Sequence, residues 1–195
     1  MQIHYDFFRT ENSLLPQKGR ILISEPFLLD NYFKRSIILL TEHSDEGSIG
    51  FVLNKPVSIK LSEIMSGFPD MNTIISLGGP VQTNTLHYVH TLGDIIPNSI
   101  KVIDNIYWGG DFDAVKDLVV SGRLNMTNIR FFLGYSGWQS NQLEEELSEN
   151  SWIVSDLVPD DIMVPMNKYF WNKTLIRMGS KYRMWANYPE NPQMN

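Results

Sequence analysis

The sequence predicts an α+β fold: a mostly antiparallel, curved or flattened barrel-like sheet with flanking helices. Three observations carry this expectation. Strand-like segments come in adjacent pairs with helices between the pairs, rather than in strict βαβ alternation. The run Ile37-Ile38-Leu39-Leu40 is apolar on both faces of a strand, which places its hairpin centrally and covered from both sides. Finally, 43% of the 195 residues are hydrophobic, enough to build the core of one domain at this length.

Residues 1–17, ending near Pro16, read as an arm laid over the core. Residues 20–24 make a short strand stopped near Pro26, which donates no ladder hydrogen bond. Residues 36–43 and 48–54 are the two strands of a hairpin turned at Asp45-Glu46-Gly47. A short helix over 62–65 is closed by Gly67 and Pro69. Residues 73–77 form a strand, Gly78-Gly79-Pro80 a sharp turn and 85–91 a further strand. Residues 100–108 read as one extended stretch, broken by Gly109-Gly110. Asp111 caps a helix running to about Ser121, with Phe112, Val115, Leu118 and Val119 on one face. Residues 129–135 are a strand, 139–150 a helix with Leu143 and Leu147 inward, and 152–154 a short strand. A last helix over 168–178 ends at Gly179. With no repeat or linker, the chain reads as one domain over 1–195, with its core at about 18–179 and an extension over 180–195.

Composition removes several classes of function. The absence of Cys excludes disulfides, thiol catalysis and thiolate-based zinc or iron–sulfur sites. No apolar run approaches the ~20 residues that span a bilayer, and residues 1–6 lack a basic n-region and an apolar h-region. A cytoplasmic protein without membrane contact is therefore expected. The net charge of −6 is unevenly spread: residues 162–195 hold five cations and one acid, and the rest holds 11 cations and 21 acids. An acidic body repels phosphate, which leaves direct DNA binding only to the tail. There Lys168, Lys173, Arg177, Lys181 and Arg183 interleave with Tyr169, Phe170, Trp171, Tyr182, Trp185 and Tyr188, a mixture that suits stacking on single strands. The more ordinary reading turns Phe170, Trp171, Leu175 and Met178 to the core and lays the cations on the acidic body.

No catalytic set is complete. In Gly134-Tyr135-Ser136-Gly137-Trp138 the serine sits at a predicted strand-to-helix junction, where a nucleophile elbow belongs. However, Trp138 occupies the place of the elbow's second glycine, and Ser136 with Gln139 matches a capping box instead. Glu42-His43-Ser44-Asp45-Glu46, with His87 and His90, offers donors suited to a divalent metal. Yet His87 and His90, three apart on a strand, face opposite sides, and His43 or His90 fits a hydrogen-bonded core histidine. No glycine set has the spacing of a phosphate loop. No catalytic residue, metal ligand or cofactor is assigned.

Read as an ordered series, several motifs resemble the AlgH/YqgE family of small bacterial proteins over about residues 18–179. They are Gly19-Arg20-Ile21-Leu22-Ile23 with Pro26, Phe33-Lys34-Arg35-Ser36-Ile37, Glu42-His43, and Gly50-Phe51-Val52-Leu53-Asn54-Lys55-Pro56. Gly78-Gly79-Pro80-Val81, Gly134-Tyr135 with Gly137-Trp138, and Gln142-Leu143-Glu144-Glu145-Glu146-Leu147 with Trp152 complete it. The resemblance implies the same α+β fold around a flattened barrel-like sheet. It implies no established activity: relatives are commonly labelled transcriptional regulators, without a DNA-binding motif behind the label.

These readings converge on a noncatalytic binding or regulatory module. The expected recognition surface joins Arg35, Asn54, Gly78, Gly79, Pro80, Tyr135, Gly137 and Trp138. Glycine admits a close approach, Trp138 offers a flat apolar face, and Arg35 holds a carboxylate or phosphate in a fork. The expected partner is a small anionic ligand or another protein. The alternative is a hydrolase or metal-assisted enzyme using Ser136, or Glu42 with His43.

Overall fold

The aliphatic hairpin organises the molecule. The computed structural model describes residues 9–10, 12–69, 71, 73–164 and 166–189. Strands β1 (Ile21–Ser24), β2 (Ile37–Ser44) and β3 (Gly47–Val52) lie side by side, and β2 is covered on both faces. On one face Ile21, Ile23, Ile37, Leu39 and Phe51 pack against Trp171, Leu175 and Trp185. On the other, Leu22, Ile38, Leu40 and Val52 meet Trp138, Leu143 and Trp152. The doubly apolar run thus has the two layers its pattern demands.

The remaining strands are β4 (Pro56–Val57), β5 (Ile75–Leu77), β6 (Val81–His90), β7 (Ile100–Ile103), β8 (Ile106–Trp108), β9 (Ile129–Gln139) and β10 (Trp152–Ser155). The sheet runs β10-β1-β2-β3-β9-β6-β8-β7, with β4 and β5 as a side branch. It is an α+β sheet, antiparallel except where β5 runs parallel to β9, and it is not closed into a barrel. Among the described residues six α-helices flank it: α1 (Leu61–Ile64), α2 (Phe112–Val120), α3 (Gln142–Ser148), α4 (Pro159–Met163), α5 (Phe170–Arg177) and α6 (Ser180–Ala186). The described part of the arm lies along β10: Asn12 Nδ2 donates to the Trp152 carbonyl, and its Oδ1 accepts from Val154 N.

Three expectations are corrected. The extended stretch over 100–108 is two strands, β7 and β8, folded back at Asp104, whose φ of +44° makes the tight turn. Strand β9 does not stop at 135; it continues through Ser136, Gly137 and Trp138 because β3 pairs with that half. Consequently α3 starts at Gln142, after a left-handed Asn141 (φ +63°), and Ser136 caps nothing.

Strand β9 is also where the chain crosses itself. Leu77 and Leu86 both pair with Leu133, so β5 and β6 lie on opposite edges of β9. The connection Gly78-Gly79-Pro80 must pass over the strand. A Cβ on Gly78 would stand 2.3 Å from the Gly134 carbonyl oxygen, and one on Gly79 2.3 Å from that of Tyr135. Gly134 makes room from below: at φ +63°, its own Cβ would meet Val81 O at 2.6 Å. The Gly78 carbonyl then receives Val52 N at 2.9 Å and Ser136 Oγ at 3.0 Å, and Gly78 N donates to Leu133 O at 2.8 Å.

Earlier on the same strand, opposite Val89, Arg130 is almost wholly buried and has no carboxylate within ion-pair distance among the described residues. Its guanidinium donates to the carbonyls of Leu53, Ile162 and Val164, touches Ser76 Oγ and lies over the Phe132 ring. One cation thereby ties β9 to the end of β3 and to α4, and burial pulls its pKa down to about 10. The crossing makes a test. Gly79→Ala destabilises the protein by at least about 2 kcal/mol in urea unfolding, as expected where a native backbone cannot accept a Cβ. Gly122→Ala, which faces open space at φ +68°, costs about 1 kcal/mol.

Candidate functional site

The eight residues of the expected surface fall into three places. Gly78, Gly79, Pro80, Tyr135 and Gly137 come together at the crossing, where the two glycines in the connection are used by the backbone of β9. Trp138 lies on the buried side and is 5% exposed. It packs against Phe33 and Trp152, and its Nε1 donates to Glu146 at 2.9 Å. Trp152 Nε1 donates to the same carboxylate oxygen at 2.7 Å. Arg35 and Asn54 stand elsewhere, near α5. Asn54 bridges the hairpin, accepting from Ile37 N at 2.9 Å and donating to Arg35 O at 2.8 Å. Arg35 lies 5.1 Å over the Trp171 ring and donates to the Tyr188 carbonyl. The tail aromatics Trp171, Tyr182 and Trp185 are buried, as a core-facing helix pair requires, whereas Tyr169 is 59% exposed.

The enzyme candidates resolve in the same way. Ser136 is fully buried within β9, with its hydroxyl given to Gly78 O, so it is no exposed nucleophile. His87 and His90 do face opposite ways, and His90 is a hydrogen-bonded core histidine. No group of three or more His, Cys, Asp or Glu poised to hold a metal ion occurs among the described residues. A different trio is present that no sequence motif announces. Hairpin register sets Ser48 opposite His43. Ser48 Oγ lies 2.8 Å from His43 Nδ1, and Glu144 on α3 lies 3.9 Å from His43 Nε2. The hydroxyl belongs to a residue only 5% exposed, and the carboxylate contact exceeds hydrogen-bond length.

A concave site lies at the outer edge of β6. Strand β8 pairs with β6 only at Val89 and His90, so the β6 edge before them is uncovered by β8. A cleft of about 530 Å³ opens there. Tyr88, Trp108 and Phe112 form its aromatic walls, with Met65, Leu86 and Ile100 beside them. Thr85, His87, Gly109 and Gly110 complete it, and none of the lining side chains is a carboxylate, lysine or arginine. The Tyr88 hydroxyl donates to Gly110 O at 2.7 Å; burial and the Asp111 carboxylate push its pKa up to about 12, so it stays protonated. Gly110 cannot be larger, since a Cβ would lie 2.7 Å from Ile96 Cγ2 and from Ser99 Oγ. Burial lowers the His87 pKa, and its ring is wedged between Phe51 and Tyr135. A smaller, largely apolar cavity of about 340 Å³ near Ile106 and Met163 carries Asp160 as its charged residue.

Fold and cleft together define an open antiparallel α+β protein with a neutral, aromatic-walled pocket. A family model described as AlgH-like matches residues 21–183, and the chain belongs to that family. It is 43% identical over 188 residues to a UPF0301 protein of Parabacteroides distasonis, covering 95% of each chain. It is 44% identical to one of Bacteroides thetaiotaomicron over the whole of both. Among solved structures, the solution structure of AlgH from Pseudomonas aeruginosa superposes with a TM-score of 0.70 at 25% identity, covering 92% of this chain and 98% of that one. A Corynebacterium diphtheriae protein reaches 0.75 at 20% identity over 92% and 95%, a likeness of fold. No helix among the described residues is long and apolar enough to cross a membrane.

The buried polar groups can be tested by stability. Glu146→Ala leaves two buried indole donors unpaired and lowers stability by about 2–4 kcal/mol, whereas Glu146→Gln keeps an acceptor and loses less; chemical denaturation separates them. The pKa values of His87 and His90 are depressed by burial below the ordinary 6.5, so the unfolded chain takes up protons first on acidification. Their contribution is whole above pH 6.5 and falls away below it. Melting temperature therefore drops between pH 7 and pH 5, and the drop is smaller in His87→Phe.

Proposed function

We propose that the protein is a noncatalytic binding or regulatory module whose ligand occupies the cleft between β6 and β8. One observation carries this reading: a cleft of about 530 Å³ is lined by Tyr88, Trp108 and Phe112, and its Tyr88 and Thr85 hydroxyls are held in hydrogen bonds to backbone carbonyls. Pockets that bury a ligand are mostly apolar, with a few placed polar groups, and this one has that character. The uncharged lining and the lowered His87 pKa favour a neutral ligand over an anion. Arg35, the expected anion holder, is occupied by Tyr188 O and the Trp171 face. Burial of Trp171, Tyr182 and Trp185 likewise argues against base stacking on the tail.

A second reading has its own observation, the Ser48–His43–Glu144 contact, which is the hydroxyl, imidazole and carboxylate of a serine hydrolase in outline. The two readings separate by experiment. In a thermal-shift screen of small metabolites, neutral ring compounds stabilise the wild type and not Trp108→Ala; a ligand at 100 times its Kd adds about 2.7 kcal/mol. Equal shifts in both proteins, or hits confined to anions and lost in Arg35→Ala, count against the cleft. Labelling by a fluorophosphonate probe that vanishes in Ser48→Ala moves the protein to the hydrolases.

A further inference from the structure

The ligand's chemistry is legible in the hydrogen bonds of two histidines on β6, an inference that rests on the cleft being the ligand site. His90 has both ring nitrogens engaged. Ser99 Oγ donates to Ile96 O at 2.7 Å, so the His90 Nε2–H serves Gly109 O at 3.0 Å, while Nδ1 accepts from Leu92 N at 3.2 Å. That imidazole is neutral and complete. His87, on the opposite face, is half satisfied. Its Nε2 lies 2.9 Å from Thr85 Oγ1, and the single proton of that hydroxyl is given to Gln82 O at 2.7 Å. The shorter contact, to Gln82 O, assigns the proton there; the hydroxyl then accepts from His87, which makes the ring the Nε2–H tautomer and leaves Nδ1 as a bare acceptor. Nδ1 has no hydrogen-bond partner among the described residues and is not sealed from solvent.

We propose that the cleft takes a flat, neutral ring compound bearing one N–H or O–H, which it donates to His87 Nδ1. The ring lies against Trp108, which is paired with Val89 and so shares the His87 side of β6, and the absence of charge in the lining gives an ion no partner to offset its lost hydration. The tautomer is set from within the protein: the bulge between Val81 and Leu86 brings Thr85 Oγ1 to both Gln82 O and His87 Nε2. Burial, by lowering the His87 pKa, keeps Nδ1 unprotonated at neutral pH.

The test uses the full chain, two probes of nearly the same shape, and ¹H–¹⁵N spectra. Indole carries the N–H; 1-methylindole does not. Indole is expected to shift the amides of Leu86, His87, Gly109 and Gly110, with 1-methylindole binding about three- to tenfold more weakly, the worth of one hydrogen bond. In His87→Phe the two bind alike. A direct check needs no variant: long-range ¹H–¹⁵N correlations of the wild-type His87 ring show the Nε2–H form. An Nδ1–H form, equal affinity for both probes, or no indole shifts at these amides overturns the proposal. Equal affinity within the cleft removes only the donor requirement and leaves the ligand site standing, whereas failure of the metabolite screen removes the site itself.

Discussion

One short backbone crossing holds the two halves of this sheet together. Gly78 and Gly79 pass over β9 at Gly134 and Tyr135 at distances that leave no room for a Cβ. Because β9 pairs with β3 in its second half and with β5 and β6 in its first, it belongs to both halves. The crossing fixes where each begins. Arg130 fastens the same strand from within, using carbonyl oxygens where a buried cation would normally demand a carboxylate.

The cleft is a consequence of that crossing. The chain leaves it at Val81 paired with Tyr135 and regains register only at Leu86 with Leu133. The residues between bulge outward, with Gln82 at φ +47°. That bulge carries Thr85, whose hydroxyl reaches both Gln82 O and His87 Nε2. Strand β8 covers only the far end of β6, and Gly110 lets the chain turn away tightly against Ile96 and Ser99. An open edge, a contacted imidazole and an aromatic lining therefore arise from backbone constraints.

Much of the fold was legible because its signals are local. Ile37 to Leu40 declared a strand covered twice, Asp111 declared a helix start and caps it through Asp113 N and Ala114 N, and Gly122 follows its end. Elements failed where a residue serves a distant partner. Ser136 and Gly137 look like a turn by composition, yet their size suits a strand lying beside Gly50 and under the crossing. Asp104-Asn105 is a turn pair that was passed over between two apolar runs, so β7 and β8 merged into one stretch. The site was less legible than the fold. None of the eight residues expected to form a recognition surface lines the cleft, and Tyr135 nears it only through its contact with the His87 ring. Trp138 reads as a docking face until Glu146, eight residues on, claims its indole. His87 was noticed only as a metal candidate, because the pattern Thr85-Leu86-His87 does not say that the hydroxyl's proton goes back to Gln82. The Ser48–His43 contact depends on hairpin register, which composition leaves open.

Ligand binding and ester hydrolysis would use different parts of the same sheet, the β6 edge in one case and the β2–β3 hairpin in the other. A high-resolution crystal structure of the full chain, purified from cells without added ligand, looks at both together. A binding module shows non-protein density against Trp108 and His87, with Ser48 Oγ unmodified. Density covalently attached to Ser48, with water alone beside His87, would contradict that role.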